Sequence, residues 1–151
     1  MAMTMRNEVL LPADIATVWA ALNDADALRD SIPGCQTLEK TSETGFKATA
    51  KVKIGIVSAS FRGTVQLLDI DAPNGYRIEG EGDGGIAGFA KGGAVVRLTE
   101  VAGGTLLAYD VQAQIGGKLA QLGARLIDGV AKKMADQFFT AFAGRFSASP
   151  L

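Results

Sequence analysis

The 151-residue sequence contains no histidine, one cysteine, one tryptophan and two tyrosines. The missing histidine removes the commonest general acid or base, the usual partner of a serine or cysteine nucleophile, and the most frequent metal ligand. Ser-His-Asp, Cys-His and histidine-based zinc chemistry are excluded, and no metal site or resident cofactor is expected. A lone Cys35 forbids an intramolecular disulfide and makes a reducing, cytoplasmic compartment the expectation. Neither sign of charge is in surplus: 15 basic residues against 16 acidic leave a formal net charge of -1. That balance lacks the excess of Lys and Arg that nucleic acid requires, and offers no polybasic run for anionic lipid. Long apolar runs are missing as well. No stretch approaches the ~20 residues of a membrane-spanning helix, and Met1–Glu8 has no signal-peptide core. Any contact with a membrane or partner has to be local.

What is present is patterning. A chain that is 48% hydrophobic and 21% charged is of the soluble globular kind. Its length fits one domain, expected over residues 1–146, with 147–151 reading as a flexible tail or the start of a longer linker. Residues 4–11 have strand character, and Pro12 opens a helix where its missing N–H costs nothing. Ile15, Val18, Trp19 and Leu22 fall on one face of that helix; a second short helix is expected over 25–31, stopped by Pro33-Gly34. Strands are then expected at 35–41, 46–54 and 59–70, and around Tyr76–Asp83, Ala94–Thr99 and Leu107–Ile115. After Gly116-Gly117 the remainder reads as one helix of roughly 28 residues, with Leu119, Leu122, Leu126, Val130, Met134, Phe138 and Phe142 along one stripe. The expected class is α+β in a helix-grip arrangement: a curved antiparallel sheet of about seven strands wrapped around a long C-terminal helix.

The inward face of that sheet is unusually small, with Ala48, Ala50, Gly63, Gly80, Gly82 and Ala94 on it. Layers pack about 10 Å apart when ordinary side chains fill the gap, so short ones either let the helix settle closer or leave an apolar void fit for an apolar guest. The expected cavity lining is Phe61, Tyr76, Ile78, Val96, Tyr109 and Val111 from the strands and Phe89 from the loop. Leu122, Leu126, Val130 and Met134 are expected to roof it from the helix. The two tyrosines would offer a hydroxyl to a guest's carbonyl.

Other motifs carry less. Gly80-Glu81-Gly82-Asp83-Gly84-Gly85 satisfies G-x-G-x-x-G, but a dinucleotide site needs that motif at a strand-to-helix turn, and here another strand follows. Ile86 and Phe89 on this glycine-rich loop read instead as a lid or as a docking point for a membrane or partner. Cys35 has no basic neighbour in sequence and reads as an inert small hydrophobe.

Three blocks in order carry a family resemblance. They are Ile32-Pro33-Gly34-Cys35; Gly80-Glu81-Gly82 with Gly88-Phe89-Ala90-Lys91-Gly92; and Gly116-Gly117-Lys118-Leu119-Ala120-Gln121-Leu122-Gly123 with Leu126-Ile127-Asp128-Gly129. Together they resemble the carbon monoxide dehydrogenase CoxG family, of the START/Bet v 1-like (SRPBCC) superfamily. The resemblance implies a non-enzymatic accessory protein that helps bring a molybdenum hydroxylase to the inner face of the cell membrane by peripheral contact. Because such an enzyme passes electrons to a membrane quinone, a quinone is the guest it suggests for the cavity. It supplies no catalytic residue. The rival expectations are a general carrier of lipids or hydrophobic metabolites, and an enzyme similar to the polyketide cyclases of the superfamily.

Overall fold

Alternating side chains become a sheet here because only one face of each strand has another layer to pack against. The computed structural model describes residues 1–147. In chain order the elements are β1 (Ala2–Leu11), α1 (Ile15–Leu22), α2 (Ala25–Ser31), β2 (Cys35–Lys40), β3 (Gly45–Ile54), β4 (Val57–Asp71) and β5 (Gly75–Asp83). A 3-10 turn (Gly85–Ala87) leads to β6 (Phe89–Val101), β7 (Gly104–Gly116), α3 (Lys118–Gln121) and α4 (Ala124–Ser147). The seven strands form one antiparallel sheet in the order β1-β7-β6-β5-β4-β3-β2. Of the tail expected at 147–151, residues 148–151 lie outside the described residues.

The short helices form as their sequence directs. Val18 and Leu22 are buried on one face of α1, and Asp24 caps α2 by accepting the backbone N–H of Asp26 at 2.9 Å. Gly92 and Gly93 sit where neighbouring strands come closest to the β6 main chain. A Cβ at Gly92 would collide with the Gln112 carbonyl of β7, and one at Gly93 would sit 2.7 Å from the Ile78 carbonyl of β5. Both neighbours crowd the main chain so closely that no side chain fits.

Two expectations are corrected. The C-terminal helix is not continuous: Gly123 has a φ of 91°, which ends α3 and restarts the chain as α4. Glycine tolerates that left-handed conformation and other residues rarely do. The sixth strand begins at Phe89 rather than near Ala94, because Gly92 and Gly93 lie inside the ladder, paired on both sides.

Apolar packing divides between two ends of the molecule. One cluster gathers Leu11, Val18, Phe46, Tyr76, Leu107 and Phe142, with Trp19, Phe138, Phe139 and Phe146 packed against it. The smaller cluster is built on Ile115, Leu119 and Ile127, with Ile54, Val57, Phe61 and Leu122 around it. The middle of the sheet belongs to neither.

Candidate functional site

Between these clusters the inner face carries Ala48, Ala50, Gly63, Gly80, Gly82 and Ala94, and opposite it α4 presents Val130, Ala131 and Met134. All of them face inward yet are only half-buried, so water reaches them. Gly82 decides between a close-fitting helix and a gap. Within 4 Å of a Cβ placed there lies one atom, the Arg62 carbonyl oxygen of the neighbouring strand at 3.9 Å. For Gly63 and Gly80 the three nearest atoms likewise belong to the adjoining strand. A helix drawn down onto the sheet would place its own side chains over Gly82, and none is there.

The strands bring Tyr76, Ile78, Val96, Tyr109 and Val111 to the inner face at the aromatic end of this gap, and Phe61 to the other end. Tyr76 and Tyr109 occupy one rung, each opposite Val96 on either side of β6. The Tyr109 ring stacks on Phe139 at 5.2 Å, and its hydroxyl is hydrogen-bonded to the Asn7 side chain. Burial raises its pKa, the Asn7 bond draws it back, and the Asp136 carboxylate nearby adds to the rise. Tyr76 is different. Its ring meets Trp19 edge-on at 5.4 Å, only 6% of the residue is exposed, and its hydroxyl has no hydrogen-bond partner among the described residues. Burial pushes its pKa up to about 12, so it holds its proton at any physiological pH. Among the described residues no fully enclosed side-chain oxygen is left unpaired; the Tyr76 oxygen is therefore not fully enclosed.

Of the residues expected on the roof, Val130 and Met134 are half-buried on α4 and Leu122 joins the smaller cluster. Leu126 does not roof the gap. The break at Gly123 shifts the helical phase, so Ile127 turns inward while Leu126 stays 38% exposed, lying over Gly55 of the β3–β4 turn. Phe89 is also displaced from its expected place: as the first residue of β6 it shares the outer face with Lys91, and its ring lies against Gly116. Ile86 tops the 3-10 turn with 87% exposure. Sequence reading did not single out Ile127, Phe139 or Ile56. The third was readable, since Gly55 between two alternating runs marks a two-residue turn with Ile56 at its apex.

The remaining candidates gather no chemistry. Gly80–Gly85 runs from a strand through the 3-10 turn into another strand. Burial raises the Cys35 pKa, with Arg29 pulling the other way, and its Sγ contacts the Thr37 carbonyl oxygen at 3.4 Å. Among the described residues no group of three or more His, Cys, Asp or Glu could hold a metal ion, and no helix is long and apolar enough to cross a membrane. A broad groove of about 940 Å³ crosses the outer face of the sheet past Thr64, Glu81, Lys91 and Gln112. It is open to solvent.

No curated protein matches the sequence. Among solved structures the chain is similar to a conserved protein from Geobacillus kaustophilus, with 28% identity, 96% of this chain and 95% of that one covered, and a TM-score of 0.88. A START superfamily protein from Mycobacterium smegmatis shares the fold at 14% identity, 95% and 96% coverage and a TM-score of 0.71. The Zhui aromatase/cyclase from Streptomyces sp. R1128 shares it at 12% identity, 97% and 94% coverage and a TM-score of 0.67. The helix-grip architecture is thus START/Bet v 1-like. Residues 8–147 match the model of one family within it, and across that span run all three sequence blocks: the chain belongs to the carbon monoxide dehydrogenase CoxG family.

Proposed function

We propose that the chain is an accessory carrier that takes a hydrophobic molecule, a quinone by preference, into the gap between sheet and helix and couples a molybdenum hydroxylase to the membrane. The observation that carries this reading is the bare floor at Gly82, with no helix atom within reach. An apolar gap gains about 25 cal/mol for each Å² of guest surface taken from water, which favours a molecule with a hydrocarbon tail. The unpaired Tyr76 hydroxyl, beside Trp19, supports a guest with a carbonyl at one end. Membership of a family of accessory subunits supports the non-catalytic role and the hydroxylase partner. The inner face of the cell membrane is the proposed place of action.

Trp19 supplies the assay. Titrating the protein with a menaquinone or ubiquinone analogue is expected to quench its fluorescence saturably; a flat titration counts against the quinone. A single hydrogen bond nets about 1 kcal/mol, so Tyr76→Phe is expected to weaken binding about fivefold without abolishing it. Organic extraction of cell-derived protein followed by mass spectrometry separates a quinone from other lipids. Turnover of a polyketone would instead favour a cyclase.

A further inference from the structure

We propose that the chain meets an anionic phospholipid surface end-on, through a tip made by Ile56, Ile86 and Leu126. These side chains come from three separate connections, the β3–β4 turn, the 3-10 turn after β5 and the α3–α4 corner. All three lie at the end of the sheet where β3 and β5 finish and β4 and β6 begin. Ile56 is 96% exposed, Ile86 87% and Leu126 38%. Beneath Ile56 and Leu126 the smaller apolar cluster joins Ile54 and Val57 of the β3–β4 hairpin to Leu119, Leu122 and Ile127 of α3 and α4.

Charge gives the tip its direction. The stretches 51–58, 83–89 and 116–128 carry Lys51, Lys53, Lys118 and Arg125 against Asp83 and Asp128. None of these cations has an ion-pair partner among the described residues. At the opposite end the reversals at 12–14, 41–44, 69–75 and 100–104 carry Asp14, Glu43, Asp69, Asp71 and Glu100 with no Lys or Arg of their own, Lys40 flanking one of them and Arg77 pairing with Asp69 at 3.6 Å. Exposed aliphatics occur at that end too, as Leu10, Ile70 and Val101, but among carboxylates. A net charge of -1 thus hides a molecule with a cationic end and an acidic one, and an anionic surface attracts the first and repels the second. The shape favours lipid over protein. A protein interface is built on a contiguous packed core rich in aromatics. Single aliphatic fingers ringed by Lys and Arg suit a layer that flows around them, with phosphates at the level of the cations.

This inference rests on the reading of the chain as a carrier that meets a membrane, and its test is separable from that reading. The chain is floated with vesicles of phosphatidylcholine alone and of phosphatidylcholine and phosphatidylserine in equal parts. Binding is expected only with phosphatidylserine, weakening as salt rises. Ile56→Ser with Ile86→Ser is expected to reduce it by roughly tenfold or more, since each loses most of its transfer free energy into the interface. Lys53→Glu with Arg125→Glu is expected to abolish it. All four sites are exposed, and an unchanged melting curve with intact Trp19 quenching in detergent would show that fold and guest binding survive. Failure of the parent to float overturns the proposal, as does a double-serine variant that floats like the parent. Capture of purified hydroxylase subunits through the tip, with no vesicle binding, also overturns it and assigns the surface to protein. A flat quinone titration beside intact vesicle binding would sink the carrier reading and leave the docking surface standing.

Discussion

The aromatic end of the molecule and its middle are made from the same strands, yet they are filled in opposite ways. At the end, Phe138 stacks on Phe142 at 5.4 Å, Phe146 meets Phe142 edge-on at 5.1 Å, and Trp19 meets Tyr76. A few residues along the same sheet the side chains shrink to alanine and glycine, and the helix above carries Val130, Ala131 and Met134. Interiors are close-packed wherever stability is at stake. The difference separates two kinds of packing: large aromatic side chains join the layers at the end, and small, half-buried residues line the middle.

The contrast is broken most forcefully at Phe142, which is fully buried. Phe142→Ala is expected to cost about 3–5 kcal/mol in chemical denaturation; a loss near that of a surface change would mean the aromatic end does not set the spacing. Next comes alkaline pH. Tyr76 has a pKa of about 12 in the fold against 10.0 ordinarily, so between those values the unfolded chain ionises while the folded one stays neutral. Stability present in full below pH 10 is then lost as the pH rises towards 12, by about 3 kcal/mol at most. Tyr76→Phe is expected to flatten that part of the profile, and equal slopes in parent and variant would discount it. A third change fills the middle. The Cβ of Gly82→Leu meets only the Arg62 carbonyl at 3.9 Å, and the change is expected to leave stability within about 1 kcal/mol while lowering quinone-analogue affinity at least about tenfold. Unaltered uptake would place the guest elsewhere. The smallest effect is expected at Gly129, on the exposed side of α4 with nothing within 4 Å of a Cβ. Gly129→Ala should add up to about 1 kcal/mol in thermal unfolding and leave uptake alone.

Much of this was legible before the structure, for reasons that also mark the limit. Period-two alternation placed β3, β4 and β7 and their inward residues, because every second side chain there is apolar and the others are not. The second helix was readable to the residue, from Asn23-Asp24 on one side and Pro33-Gly34 on the other. Reading faltered where glycine erases the pattern. Gly88, Gly92 and Gly93 have no side chains to alternate, so β6 seemed to start late and Phe89 looked like a loop residue facing the cavity. Gly123 presents as a weak helix former, and nothing local says that its φ turns positive and rotates the following helix so that Ile127 replaces Leu126. The small inward residues were legible from composition; that no helix atom lies within 4 Å of a Cβ at Gly82 was not.

The pinch at Gly92 and Gly93 carries a consequence for how relatives diverge. Since neighbouring main chains leave no room for a side chain there, that part of the frame does not depend on which residues line the inner face. Ala48, Ala50 or Ala94 can therefore be exchanged for bulkier or smaller groups to suit another passenger while the frame stays as it is. A lineage can retune what it carries in single steps, with no intermediate that has to relearn how to fold.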